Sequence, residues 1–221
     1  MSEDDLKHEA ESEAAPILKN PELPKPYYQD DYVTLYHADC RKVLPLLEPV
    51  DLVLTDPPYG IGRLMKGGKN TGHWNKLSCG NEWDYFAPDL TDIIKKGEKY
   101  IIWGGNYFNL PPSRCFFFWY KTNSVPTMAD GELAITSLDK NARVYKHSVI
   151  SGEHPTQKPI KLMKWCIEQA GEPQTILDPF MGSGTTLRAT KDLNRKAIGI
   201  EMEEKYCEIA VKRLAQEVMQ F

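Results

Sequence analysis

The sequence predicts an α/β domain: one doubly wound, mainly parallel sheet with helices on both faces. Three observations carry this. Short apolar runs alternate along the chain with segments of helical period, which is the pattern of strand–helix–strand units. Two of those runs, Leu52-Val-Leu54 and Thr175-Ile-Leu177, lead directly into turns, Thr55-Asp-Pro-Pro-Tyr-Gly60 and Asp178-Pro-Phe-Met-Gly-Ser-Gly-Thr-Thr186. A buried strand ending in such a turn is where open α/β sheets bind ligands. Finally, a length of 221 residues suits one such domain with a sizeable core and is too short for two.

In order along the chain, Val33 to Tyr36 reads as a strand ending at Ala38-Asp39-Cys40, and Arg41 to Leu47 as a short helix. Asp51 to Thr55 is the next strand, delivering Asp56-Pro57-Pro58-Tyr59. From Gly60 to Asn81 there are six glycines and the basic residues Arg63, Lys66, Lys69 and Lys76 with no acid, the composition of a mobile cationic loop. Leu90 to Lys96 is expected to be helical, with Tyr100 to Trp103 and Cys115 to Tyr120 as strands. Glu132 to Thr136 is expected to be the last strand before a second basic stretch, Lys140 to Lys164, which holds six basic residues against Glu153. A helix from about Pro159 to Ala170 starts with proline in its first turn, where the missing N–H costs nothing. The strand at Thr175 to Leu177, a helix from about Ser183 to Leu193, a strand at Ala197 to Ile200 and a final helix around Tyr206 to Leu214 complete the pattern.

The net charge of −4 resides wholly in residues 1–26, where seven acids face Lys7, Lys19 and Lys25; the remainder carries 24 charges of each sign. With Pro16, Pro21, Pro24 and Pro26 and little apolar periodicity, this stretch is expected to be a disordered tail, and residues 27–221 the folded domain. No apolar run approaches membrane-spanning length and the N-terminus lacks a signal pattern, so a cytoplasmic location is expected. The five cysteines are widely spaced without a CxxC pair, so no metal site or disulfide framework is indicated; small core residues or inert surface thiols are expected.

In the turn from Asp178 to Gly184, Gly182 and Gly184 permit a tight turn and close approach to a ligand, while Ser183, Thr185 and Thr186 can start the following helix. Glu201, seventeen residues after Gly184, ends the next strand where a carboxylate can accept hydrogen bonds from two ribose hydroxyls. Thr186 and Leu187 stand where a dinucleotide site would place its third glycine, which disfavours a pyrophosphate ligand and hence a nicotinamide oxidoreductase. Phe180 offers an apolar wall and Asp178 a partner for an amino group.

Together the two turns resemble the amino-group DNA methyltransferases, in the permuted class whose Asp-Pro-Pro-Tyr tetrapeptide precedes the cofactor turn. The similarity spans roughly residues 33 to 215. It implies a class I methyltransferase fold, circularly permuted, with S-adenosylmethionine as cofactor. It implies that Asp56 and the carbonyl of Pro57 accept the two N–H hydrogens of a target amine, that Pro58 stiffens the turn, and that Tyr59 stacks on a base extruded from the duplex. Asp39 is implied near the cofactor adenine, and His154, Thr156 and Lys158 around the methionine carboxylate. With Asp56, Asp178, Phe180, Gly182, Ser183, Gly184, Thr185, Glu201 and Met202 these form the expected cofactor set.

Asp at the first position of the tetrapeptide is typical of the adenine enzymes. Trp103 to Phe108, Trp119-Tyr-Lys121 and Ala129 to Ser137 look most like phage and prophage adenine methylases, which usually show Trp-Asp-Lys where this chain has Tyr120. Cytosine N4 methylation, RNA or protein-glutamine methylation, and an inactive nucleic-acid-binding relative remain the alternatives. The C5-cytosine route is disfavoured, because no cysteine here follows a proline. Double-stranded DNA is the expected partner, held by a cationic rim of Arg63, Lys66, Lys69, Lys76, Lys140, Arg143 and Lys146 that contacts phosphates. The segment available for target recognition, about 137–153, is short, which predicts a relaxed target or a homodimer that pools two rims.

Overall fold

In a computed structural model, residues 22–61, 84, 87–124, 129–149 and 157–216 are described. Among them, nine strands form one sheet: β1 (Tyr28–Gln29), β2 (Val33–His37), β3 (Val50–Thr55), β4 (Gly97–Trp103), β5 (Phe116–Lys121), β6 (Gly131–Thr136), β7 (Arg143–His147), β8 (Thr175–Asp178) and β9 (Lys196–Glu201). Their order across the sheet is β1-β2-β9-β8-β3-β4-β6-β5-β7. Helices α1 (Cys40–Val43), α2 (Thr91–Ile94), α3 (Ile160–Gln169), α4 (Thr185–Asp192) and α5 (Glu204–Ala215) connect or follow them.

The central strands pair in parallel, β2 with β9, β9 with β8, β8 with β3 and β3 with β4. Their side chains alternate between two buried clusters. Leu52, Leu54, Ile101, Trp103 and Ile176 pack on one face against Leu162, Met163, Cys166 and Ile167 of α3 and Ala189 of α4. Val53, Ile102 and Leu177, one residue out of step, pack on the other face against Val43, Leu44 and Ile93. Strands covered on both faces must be apolar at every position, which is why the sequence shows continuous runs there. The four described cysteines, Cys40, Cys115, Cys166 and Cys207, are buried thiols as their residue type suggests.

The sheet is mainly parallel, as expected, and its far side adds antiparallel pairing and one strand that was not expected. β6 runs antiparallel to both β4 and β5. β7 is a strand within the segment expected to be free for target recognition, and it pairs in parallel with β5. Its pattern was weak because an edge strand buries little: Arg143, Val144 and Lys146 are all exposed. Backbone pairing and the Trp119 indole, which donates to the His147 carbonyl at 2.9 Å, hold it in place. The expected helix at 41–47 is α1 followed by a 3-10 turn at Leu44–Leu46, where Pro45 forbids a continued α-helical ladder.

Chain direction across the sheet reverses between β8 and β3. From β3 the chain moves on to β4 on one side, and from β8 to β9 on the other. The C-terminal ends of these two neighbours therefore open a crevice, the position at which open α/β sheets bind ligands. Asp56 follows β3 and Asp178 ends β8.

Candidate active site

The two turns are joined directly. The Thr55 hydroxyl donates to Asp178 Oδ1 at 2.6 Å, and the same oxygen accepts from the Phe180 N–H at 3.1 Å. Asp178 is 2% exposed. Burial pushes its carboxyl up to about 6, against the pull of the Thr186 and Thr55 hydroxyls and the Phe180 amide. Phe180, Gly182, Ser183 and Thr185 line one cavity of about 1830 Å³ together with Asp56 to Tyr59, Asp39 and Glu201.

Glu201 is preset by its own backbone. Oε2 accepts from the Gly182 N–H at 3.0 Å, and Oε1 from the Met202 and Glu203 N–H groups at 2.8 Å each. Burial nonetheless raises its pKa above the ordinary carboxylate value. Oε2, with one donor against the two on Oε1, keeps capacity for a further hydrogen bond, so the carboxylate can accept from a ribose hydroxyl. Asp39 caps α1, accepting from the Arg41 N–H at 2.9 Å, while the Arg41 guanidinium holds its carboxyl low. Met202 is 63% exposed beside the mouth of the cavity.

The expectation that Ser183, Thr185 or Thr186 caps α4 is corrected. The helix starts from Gly184 with no side-chain cap, because Gly184 sits at φ +76° and a Cβ there would lie 2.7 Å from the Ala210 Cβ. The hydroxyls of Ser183 and Thr185 instead accept from Arg213 of α5 at 2.9 Å, and the same guanidinium reaches Gln157 Oε1 at 2.9 Å. This places a cation and three polar side chains beside the glycine turn, and Gln157, Ser183 and Thr185 line the cavity.

The tetrapeptide is held from several directions. The Tyr59 and Gly60 N–H groups both donate to Asp84 Oδ1, at 2.6 and 2.9 Å. The Tyr59 ring lies against Gly104, where a Cβ would come within 2.1 Å of it, and stacks on Tyr107 with centroids 4.9 Å apart. Its hydroxyl donates to Asp56 Oδ1 at 2.5 Å. One face of the ring expected to stack on a target base is thus already taken by Tyr107.

Lys158, expected at the cofactor carboxylate, is held by carboxylates of the chain itself. Its ammonium is 2.5 Å from Asp56 Oδ2 and 2.8 Å from Glu132 Oε2, and Lys121 reaches the other Glu132 oxygen at 2.6 Å. The physical reason is charge: a lysine that is 3% exposed must find carboxylates, and two half-buried ones are at hand. Burial pushes the Asp56 carboxyl up, with Lys158 opposing and Glu132 reinforcing. Burial acts the same way on Glu132, but Lys158 and Lys121 outweigh it and hold that carboxyl well below its usual range. Glu132 and Lys121 were absent from the expected site. Their signal was an acid inside the apolar strand Glu132-Leu-Ala-Ile135 and a lysine closing the aromatic run Phe116 to Tyr120. Tyr120, the departure from the family pattern, is 42% exposed while Trp119 and Lys121 are buried, so the departure falls on the side away from the ion pairs.

Lys140, counted in the cationic rim, is half-buried and its ammonium donates to the Gln169 carbonyl at the end of α3, so it anchors a helix terminus. Arg143 and Lys146 stand exposed on β7. Arg63, Lys66, Lys69 and Lys76, with His154 and Thr156, lie outside the described residues.

A family model described as DNA methylase, of N6 and N4 amino-methyltransferases, matches residues 102–212. The chain belongs to the DNA methylase family. Its relatives include the type II methyltransferase M2.LlaDCHI of Lactococcus lactis subsp. cremoris, 30% identical over 249 residues that cover 87% of this chain and 93% of that protein. The type II methyltransferase M2.DpnII of Streptococcus pneumoniae is also 30% identical, covering 88% and 94%. Among solved structures, the M1.HpyAVI–SAM complex superimposes with a TM-score of 0.58 at 26% identity, covering 83% of this chain and all of the other. The matched family span includes the glycine turn, Glu201, Glu132 and Lys158; the Asp56 turn lies upstream of it and is joined to it by the Thr55–Asp178 and Lys158–Asp56 contacts.

Proposed function

We propose that this methylase transfers a methyl group from S-adenosylmethionine to the exocyclic N6 amine of an adenine turned out of double-stranded DNA, by direct transfer without a covalent enzyme intermediate. The observation that carries the reading is the shared cavity: the Asp56 turn and the Glu201–Gly182 turn face one space at the switch point of the sheet. A solved relative, M1.HpyAVI, is a SAM complex, and the donor set here suits that cofactor. Glu201 would hold the ribose, Asp178 the amino group, and the Ser183, Thr185, Gln157 and Arg213 cluster the carboxylate. When bound, the cofactor supplies an electrophilic methyl on a sulfonium.

The chain's own residues must make the amine a nucleophile, because its lone pair is delocalised into the purine ring. Asp56, an acceptor aimed at one N–H, draws that pair back onto nitrogen, and the Pro57 carbonyl is proposed for the other N–H. Proline at two successive positions restricts the backbone, so these acceptors need little reorganisation on binding. Tyr59, stacked on Tyr107, extends an aromatic shelf beside the base. Asp at the head of the tetrapeptide favours adenine over cytosine N4. The cationic rim, led by Arg143, Lys146 and the lysines and arginine of the 60–81 loop, is proposed to hold phosphates.

The test is Asp56→Ala: transfer to duplex DNA should disappear while affinity for S-adenosylmethionine stays within a few-fold. Near-normal methylation by that variant would refute the assignment.

A further inference from the structure

Four side chains from four segments meet behind the catalytic turn in an order that alternates in charge. Lys121 of β5 contacts Glu132 of β6, Glu132 contacts Lys158 just before α3, and Lys158 contacts Asp56 after β3, all at 2.5–2.8 Å. Lys121 and Lys158 are 8% and 3% exposed. Burying an ammonium is costly unless counter-charges are in place, and removing one partner leaves the other uncompensated. Here two ammoniums and two carboxylates cancel. The Trp103 and Tyr59 rings lie within 5.7 and 5.8 Å of the Lys158 nitrogen and add favourable cation–π contact.

The chain of charges treats the two oxygens of Asp56 differently. Oδ2 is taken by Lys158, whereas Oδ1 meets only the Tyr59 hydroxyl among the hydrogen bonds of the described residues. A carboxylate oxygen accepts more than one hydrogen bond, so Oδ1 retains capacity for an incoming amine. The Tyr59 hydroxyl also has an alternative acceptor in Glu132 Oε2 at 3.5 Å.

We propose that Lys158, anchored by Glu132 and through it by Lys121, is the positioning residue of the catalytic turn: it fixes one oxygen of Asp56 and supplies the counter-charge to its carboxylate, leaving the other oxygen to accept from the substrate amine. This rests on the reading of Asp56 as the amine acceptor. It assigns Lys158 to the catalytic turn and leaves the cofactor's carboxylate to the cluster of Ser183, Thr185, Gln157 and Arg213 proposed above.

Among the described residues, the charged or titratable groups facing Asp56 that enter the consequence are Lys158, Glu132 from β6, Tyr59 of its own turn and Asp178 from β8. An ionised Asp56 is required for turnover, so kcat falls as pH drops through its pKa. Lys158→Met removes the attractive charge and leaves Glu132 and Asp178 repelling, so the acid limb of kcat should move to higher pH by about one to three units. Glu132→Gln removes a repelling charge and leaves Lys158 wholly to Asp56, so the limb should move to lower pH. The glutamine oxygen still accepts from Lys121. A role confined to packing would not send the two variants in opposite directions.

The experiment measures kcat against pH with saturating labelled S-adenosylmethionine and an unmethylated duplex DNA pool, alongside cofactor affinity and thermal unfolding of each variant. For Lys158→Met, kcat at neutral pH should drop on the order of a hundredfold with cofactor affinity unchanged within a few-fold. An unmoved limb, limbs moving in the same direction, or a tenfold loss of cofactor affinity in Lys158→Met would overturn the proposal. Should Lys158→Met not fold, Glu132→Gln decides: a limb moving down supports the proposal and any other result refutes it. Asp56→Ala separates the layers, since residual methylation there refutes the amine-acceptor reading itself, whereas an inactive Asp56→Ala with an unmoved Lys158→Met limb refutes only the positioning role.

Discussion

Replacing Asp178 with Asn should stabilise the protein at neutral pH while weakening its cofactor site. Asp178 is buried at the sheet's switch point, with its carboxyl raised from 3.8 to about 6, first by burial and against three hydrogen bonds. A carboxyl raised in the folded state binds its proton more tightly there than in the unfolded chain. Stability therefore falls as pH rises from the unfolded value to the folded one, and is flat above it. At about 1.4 kcal/mol per pKa unit, this shift corresponds to about 3 kcal/mol lost between pH 3.8 and about 6. Asparagine keeps an acceptor oxygen for Thr55 and Phe180, can donate to a threonine hydroxyl, and never ionises. Urea unfolding of both proteins at several pH values between 4.5 and 7.5 measures this. The advantage of Asp178→Asn should grow by about 2 kcal/mol across that range, the part of the shift that lies above pH 4.5. Parallel stability curves for the two proteins would refute the reasoning, because they would mean that Asp178 titrates alike in both states.

Glu201→Ala removes the acceptor proposed for the ribose and the carboxylate that ties together the Gly182, Met202 and Glu203 N–H groups. Calorimetry should show S-adenosylmethionine bound about 2 to 3 kcal/mol more weakly, and unchanged affinity would count against the site. Gly184→Ala forces a side chain into a left-handed backbone and against Ala210; a loss of about 1 to 3 kcal/mol in stability is expected, and an unaltered Tm would show that the turn relaxes freely. Replacing Arg63, Lys66 and Lys69 together with Gln should lower affinity for all DNA sequences alike and reduce the salt slope by about three units. A changed choice of site at constant slope would show that these residues read bases.

Much of the fold was legible because its strands are buried on both faces. Runs such as Leu52-Val-Leu54 and Tyr100 to Trp103 have no polar side to confuse the period, and β3, β4, β8 and β9 lie within a few residues of their expected bounds. β7 was not legible, since Arg143 to His147 has an edge strand's exposure and a charge pattern that reads equally well as loop. The antiparallel course of β6 is likewise a matter of tertiary pairing, which local pattern does not encode. The site divides in the same way. Asp56, Asp178, Gly182 and Glu201 announced themselves by sitting at strand ends beside turn residues. Glu132, Lys121, Gln157 and Arg213 come from distant segments, and only the folded arrangement reveals them as partners of the two turns. Lys158 was read from its neighbours in sequence, yet its ammonium is governed by the carboxylates nearest to it in space.

Methylation of the adenine amine in DNA through Asp56 is the function proposed for this chain. Incubating the protein with methyl-labelled S-adenosylmethionine and duplex DNA, digesting the DNA to nucleosides and separating the labelled products tests it most directly. Label in N6-methyladenine, absent when Asp56→Ala replaces the wild-type chain, is the predicted result. Label in N4-methylcytosine would contradict the choice of base, and no transfer by a protein that binds both cofactor and DNA would contradict methyl transfer as its function.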